Sequence, residues 1–241
     1  MINLLHGDCL ELMKSIPDNS VDLVLTDPPY GTTACKWDTV IPFEPMWKEL
    51  KRIRKDNAAI ILFGSEPFSS HLRISNIKEF KYDWIWLKPS GTNFASVKYM
   101  PMKAHENISL FGKHKYYPIM EERTGGGLSR MKYACTPNKT KGESYGIKLN
   151  TNKKMYGEKR NPFSYQHFNS REKVRGLHPN QKPVALLEYL IKTYTLEGET
   201  VLDFTMGSGS TGVAAKNLNR NFIGIEQDDK YFEIAKNRIN G

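Results

Sequence analysis

The end of the chain constrains its fold most. Thr200-Val201-Leu202-Asp203-Phe204 is a short apolar run, followed by a glycine turn, Gly207-Ser208-Gly209-Ser210. Residues 211–218 then have helical spacing, Phe222-Ile223-Gly224-Ile225-Glu226 is a second apolar run, and residues 228–239 read as a closing helix. A strand, a helix and a strand in that order pair the two strands in parallel, because the helix carries the chain back across the sheet. The unit points to an α/β domain.

The rest of the chain repeats this rhythm with one interruption. Val21-Asp22-Leu23-Val24-Leu25, Ala58-Ala59-Ile60-Ile61-Leu62-Phe63, Trp84-Ile85-Trp86-Leu87 and Ile108-Ser109-Leu110-Phe111 suit strands buried on both faces. Residues 43–53 put Met46, Trp47, Leu50 and Ile53 on one helical face. Residues 183–194 read as a helix with Pro183 in its first turn. Residues 113–177 are different: rich in Lys, Asn, Gly, Ser and Tyr, with Gly125-Gly126-Gly127 near the start and few large apolar side chains. The reading is one core in two halves, 1–112 and 178–241, around an insertion at 113–177. A chain of 241 residues can bury such a core without covalent staples.

The glycine turn and the acid at the next strand tip suggest a nucleotide ligand. Glycines let a backbone approach a ligand closely, and an acid such as Glu226 can accept from ribose hydroxyls. Thr211-Gly212 is taken to interrupt the G-x-G-x-x-G spacing of dinucleotide loops. A ligand with an adenosine and no pyrophosphate suits the turn better; a purely structural turn is the bland alternative.

Asp27-Pro28-Pro29-Tyr30 ends the strand at 21–25. Open α/β sheets bind ligands at that edge. The residues suit an aromatic exocyclic amine, whose lone pair is delocalised into its ring. Two acceptors can draw its N–H groups toward tetrahedral geometry and free that pair. Asp27 supplies one, and the carbonyl of Pro28, in a proline-stiffened chain, supplies another. Tyr30 can stack on the base. A stiff strand exit with an incidental acid is the competing reading.

The net charge is +9, all of it from one region: residues 113–182 balance at +11 and the remainder at −2. Such a segment can contact a polyanion through counterion release, or be a solvated loop. Cys9, Cys35 and Cys135 form no CxxC and no zinc spacing, which fits a reducing cytoplasm. Ile2-Asn3-Leu4-Leu5 is too short for a signal peptide, and no apolar stretch approaches a membrane span.

Together these residues resemble the DNA amino-methyltransferases. Asp27-Pro28-Pro29-Tyr30 matches the D-P-P-Y motif and 203–211 the cofactor loop. The order of catalytic motif, basic segment and cofactor loop resembles the family's β group. His6-Gly7-Asp8-Cys9 is similar to the stretch that contacts the cofactor adenine through Asp8. His178-Pro179-Asn180-Gln181-Lys182-Pro183 is similar to the segment holding the methionine end, with Lys182 near its carboxylate. Trp86-Leu87-Lys88-Pro89 and His105-Glu106 fall where the family lines its pocket. One departure is clear. The family's D-P-F-x-G-S-G-T loop is here Asp203-Phe204-Thr205-Met206-Gly207-Ser208-Gly209-Ser210, without the proline and with the aromatic moved by one.

The resemblance implies an α/β, doubly wound, mostly parallel sheet with helices on both faces, a Rossmann-like methyltransferase fold with one reversed edge strand. It implies methyl transfer from S-adenosylmethionine to adenine N6 in a specific double-stranded DNA sequence, with base flipping. The catalytic residues would be Asp27, Pro28, Pro29 and Tyr30. The cofactor residues would be Asp8, Cys9, Lys182, Asp203, Phe204, Gly207, Ser208, Gly209, Thr211 and Glu226. No metal is needed, since a sulfonium is already an activated donor. The insertion would recognise the target, with Lys113, Arg123, Arg130, Lys132, Arg160, Arg171 and Arg175 as candidate DNA contacts. A homodimer, a cognate restriction endonuclease and a cytoplasmic setting, in a bacterial, archaeal or phage-encoded system, are further expectations.

Three alternatives stand beside this. Cytosine-N4 methylation uses the same chemistry, but its enzymes more often carry Ser at the position of Asp27. Asn-Pro-Pro-Tyr enzymes modify protein glutamine or RNA. A non-catalytic DNA-binding module could keep the core. Carbon-5 methylation needs a cysteine nucleophile, usually after proline, and no cysteine here follows one.

Overall fold

The computed structural model describes residues 1–33, 35, 38–124, 158–169 and 180–241. It forms two units: Met1–Tyr117 with Ser164–Gly241, and Pro118–Phe163. In chain order the first unit contains β1 (Ile2–His6), α1 (Cys9–Met13), β2 (Val21–Thr26), α2 (Phe43–Ile53), β3 (Arg54–Gly64), α3 (Phe68–Ser75), β4 (Phe80–Thr92), a 3-10 turn (Phe94–Ser96) and β5 (Lys103–Phe111). The second unit holds β6 (Glu121–Glu122) and β7 (Lys159–Arg160), which pair antiparallel. The first unit resumes with β8 (Tyr165–His167), α4 (Val184–Tyr194), β9 (Thr200–Asp203), α5 (Ser210–Asn217), β10 (Asn221–Glu226) and α6 (Asp229–Asn240).

The sheet runs β1-β10-β9-β2-β3-β5-β4-β8. From β1 to β3 every pair is parallel; β5 alone is antiparallel to both neighbours, and β8 is parallel to β4. The reversed strand therefore lies inside the sheet rather than at its edge, where the resemblance had placed it. β1, whose sequence shows only a run too short for a leader, is an edge strand whose His6 sits opposite Glu226. β8 comes from the segment read as an insertion and extends the main sheet at the other edge.

β2 is buried at all six positions, as its unbroken apolar run predicts. Asp22 is tolerated there because Lys55 Nζ pairs with it at 2.8 Å and Thr200 N donates to it at 3.0 Å. Helices cover both faces. α1, α2 and α3 close one core with Val24, Ile60, Leu62, Leu202 and Ile225. α4, α5 and α6 close the other with Leu23, Leu25, Ile61, Val201 and Phe222. α2 buries the predicted Met46, Trp47, Leu50 and Ile53. Emptying a site such as Leu50 by truncation to Ala typically costs about 2–5 kcal/mol.

The chain leaves β2 toward β3 on one side and β9 toward β10 on the other, while β2 and β9 are neighbours. That reversal is a topological switch point, where the loops at the C-terminal strand ends part and leave a crevice. Asp27 follows β2, and Asp203 ends β9, at that crevice.

Candidate active site

The crevice is a cleft of ≈ 640 Å³, within the roughly 300–1,000 Å³ of small-molecule sites. Asp27, Pro28, Pro29 and Tyr30 line it, as do Asp8, Cys9, Lys182, Asp203, Phe204, Gly207, Ser208, Thr211 and Glu226. Of the residues expected at the cofactor, Gly209 is not in the wall. It caps α5 in the left-handed region (φ 78°), and a Cβ there would meet Ala235 and Ile239 at 3.0 Å. Its absent side chain serves helix packing rather than ligand contact.

Asp27 is held from both carboxylate oxygens. The Tyr30 hydroxyl donates to Oδ1 at 2.5 Å, and the Lys182 ammonium donates to Oδ2. Lys182 also lies 3.5 Å from Glu106, which pairs with Lys88. A chain of alternating charges thus runs from β4 through β5 to Asp27. Burial raises the Asp27 carboxyl above its ordinary value, although the Lys182 ammonium and Tyr30 hydroxyl pull the other way. Burial would lower Lys182, but the Asp27 and Glu106 carboxylates outweigh it and hold its pKa up. The expected contact of Lys182 with a cofactor carboxylate competes with these two partners. The Tyr30 ring stacks on Phe68, centroids 5.0 Å apart, with Phe43 beyond.

Asp38 carries no signal in the sequence. Its carboxylate accepts from the backbone N–H groups of Tyr30, Gly31, Thr32 and Thr33 at 2.6 to 2.9 Å. Gly31 turns there with φ 67°, and a Cβ would meet Val40 at 2.8 Å. Against the effect of burial, the hydrogen bonds from Thr33 and the loop backbone hold the Asp38 carboxyl below its ordinary value. Only its spacing from Tyr30 could have flagged it, and Asp eight residues after Tyr is no motif.

The departure in the glycine loop has a structural consequence. Thr205 Oγ1 donates to the backbone carbonyl of Asp27 at 3.1 Å and lies 2.7 Å from Thr26 Oγ1, which donates to Asp203 at 2.5 Å. The position that carries an aromatic in the resembled motif here ties the glycine loop to the end of β2. Phe204 packs into the core instead. Burial pushes Asp203 up to about 6, opposed by Thr211, Thr26 and the Thr205 N–H.

Gly207, Gly209 and Gly212 do stand at G-x-G-x-x-G spacing, so Thr211-Gly212 interrupts nothing. A Cβ at Gly212 would meet Ile239 and Phe222 within 2.8 Å, so this glycine allows α5 to lie close on the sheet and α6. The motif therefore does not itself discriminate against a dinucleotide.

An adenosine-bearing ligand fits the wall. Glu226 Oε2 accepts from Gly207 N at 2.8 Å, and Oε1 accepts from Gln227 N and Asp228 N at 2.9 Å. Three of about four acceptor positions are used, which leaves one strong contact for a ribose hydroxyl rather than two. Asp8 caps α1 through Oδ1, accepting from Leu10 N and Glu11 N. Burial pushes the Cys9 thiol up to about 12, which suits a packing residue and not a nucleophile. No metal-binding cluster occurs among the described residues, and no helix among them is long and apolar enough to cross a membrane.

The basic candidates divide. Lys113 follows β5, whose reversal puts it at the sheet edge opposite the cleft. In the small unit, Arg123 Nε donates to the Lys159 carbonyl at 2.9 Å. Arg160 pairs with Glu121 at 2.7 Å and lies 3.5 Å over the Phe163 ring, so part of its charge is neutralised locally. Arg130, Lys132, Arg171 and Arg175 lie outside the described residues, as do Cys135, His178 and Pro179.

Sheet order, switch-point cleft and glycine loop define a Rossmann-like methyltransferase fold. The chain belongs to the N6/N4 DNA methylase family, whose family model matches residues 21–237. It is 29% identical to the Type II methyltransferase M.HinfI of Haemophilus influenzae over 98% of this chain and 67% of that protein. It is also 29% identical to the Type II methyltransferase M1.MboII of Moraxella bovis, over 99% and 97%. The structure of M1.HpyAVI in complex with SAM superposes with a TM-score of 0.65 at 25% identity, covering all of both chains. The cytosine-N4-specific PvuII DNA methyltransferase shares the fold, with a TM-score of 0.68 at 18% identity over 98% and 86%.

Proposed function

We propose that this chain methylates the N6 amine of adenine within a specific double-stranded DNA sequence, with the target base flipped out of the helix. S-adenosylmethionine is the methyl donor; bound in the cleft, it supplies a methyl group already activated on a sulfonium. The observation that carries the reading is Asp27. Its carboxylate stands at the end of β2, in the same cleft as Glu226 and the glycine turn.

The protein's own part is alignment and charge. Asp27 accepts one N–H of the target amine, and the Pro28 carbonyl accepts the other. Tyr30, backed by Phe68, offers an aromatic face to the base. Transfer leaves the amine with a proton to lose, and Asp27, raised by burial, takes it. Asp in place of Ser at position 27 favours adenine over cytosine. The partner proposals are a homodimer and, because relatives are Type II methyltransferases, a cognate restriction endonuclease.

The test uses labelled S-adenosylmethionine and unmethylated duplex DNA, followed by digestion to nucleosides. Label in N6-methyladenine is the expected result. Label in N4-methylcytosine, RNA or protein would overturn the assignment, and cofactor binding without transfer would favour a non-catalytic module.

A further inference from the structure

β4 is parallel to β2, because two antiparallel pairings separate them. The loop at 93–102, which joins β4 to β5, therefore leaves the sheet at the edge that carries Asp27. That loop presents apolar side chains to water. Tyr99 is 81% exposed, Phe94 68%, Met100 54%, Val97 53% and Met102 51%. Exposure of this kind contributes nothing to folding and marks a contact surface.

The loop is a built element. Asn93 adopts a left-handed conformation (φ 59°), and its Oδ1 accepts from Lys103 N at 2.8 Å. Thr92 Oγ1 donates to the Lys103 carbonyl at 3.1 Å. Ser96 O accepts from the N–H groups of Tyr99 and Met100 at 2.9 and 3.1 Å. At the base, a Cβ on Gly91 would meet Met102 at 2.6 Å, so the two arms lie close. The Lys103 ammonium donates to Ser65, just beyond β3.

Charge says what the loop meets. Residues 89–105 carry Lys98 and Lys103 and no carboxylate. The same loop of a second copy, brought against it about a two-fold axis, would set lysines against lysines. A duplex brings phosphates to the lysines. A base withdrawn from its stack also leaves an apolar gap, which side chains such as Phe and Met fill at kinked steps. We propose that residues 93–102 are a wedge that enters the base stack beside the extruded target base; this rests on the DNA reading above.

The experiment first maps the methylated position by sequencing DNA from cells expressing the protein. Two duplexes are then made, one with the target base paired and one with it opposite an abasic site, where extrusion is already easy. The Tyr99→Ala/Met100→Ala double variant should lose about tenfold or more in kcat/KM on the paired duplex and less than about threefold on the abasic one. Cofactor affinity should be unchanged, and Tyr99→Phe should retain activity on both. Equal loss on both duplexes, or no loss, would overturn the wedge. So would conversion of a wild-type dimer to monomer by the double variant, which would assign the loop to a second copy. If the wild-type protein methylates no DNA at all, the proposed function fails and the wedge fails with it.

Discussion

Asp38 anchors the turn that runs from Tyr30 to Thr33, through four backbone N–H groups. Hydrogen bonds to a charged acceptor are worth about 1.5–3 kcal/mol each, so the carboxylate fixes where Tyr30 and Gly31 stand. In the proposed reaction it is a positioning residue, acting through the backbone of Tyr30 and Gly31. Asp38→Asn, with one acceptor oxygen, should lower kcat about tenfold or more while cofactor Kd moves less than about threefold. Single-turnover rates beside titration calorimetry check this; a parallel loss in both would mean general disorder of the cleft. Asp203 predicts a pH effect. Its carboxyl titrates near 6 in the fold against an ordinary 3.8, because burial disfavours the charge. The folded state holds this proton longer than the unfolded one. The group's contribution to stability is therefore full below about pH 3.8 and lost as pH rises to about 6. At ~1.4 kcal/mol per pH unit the change approaches 3 kcal/mol. Urea unfolding across pH 4 to 6.5 should show wild-type stability falling by up to that amount relative to Asp203→Asn. Parallel profiles would place the titration elsewhere.

Gly212 shows how an element depends on one missing side chain. α5 can approach β10 and α6 only because nothing projects from this position. Gly212→Ala should cost about 1–3 kcal/mol in urea unfolding, whereas Gly198→Ala, with open space around it but φ 78°, reports backbone strain alone. Equal m-values with an unshifted midpoint for Gly212→Ala would show that α5 has room. β2, β3, β9 and β10 are legible in the sequence because parallel strands inside the sheet leave apolar runs, whereas β1, a short edge strand, is not. α2 is legible from four residues at helical spacing. The reversal of β5 is not, since direction leaves no mark on an apolar run. The same holds for Asp38, whose role depends on a loop geometry that composition does not encode. Gly212 is legible in principle, because its spacing from Gly207 and Gly209 stands in the sequence, but its packing role emerges only once Ile239 and Phe222 are placed against it.

At the scale of the whole molecule, the excess positive charge lies in 113–182, while the proposed chemistry lies in a cleft lined by Asp8, Asp27, Asp203 and Glu226. That division suits an enzyme that grips a polyanion with one part and activates an amine with another. Replacing Arg123 and Lys159 by Gln should weaken DNA binding. It should also flatten the plot of log K against log salt by roughly 0.9 for each phosphate no longer neutralised. Fluorescence anisotropy at several salt concentrations checks it, and an unchanged slope would place the DNA-binding charge elsewhere. The central claim is that Asp27 activates an adenine amine for methylation. Mass spectrometry of nucleosides tests it most directly, on DNA from cells expressing the wild-type protein or Asp27→Ala at equal levels. N6-methyladenine is expected with the wild-type chain only, the variant protein still binding S-adenosylmethionine. N4-methylcytosine in its place, or N6-methyladenine undiminished in the variant, would contradict it.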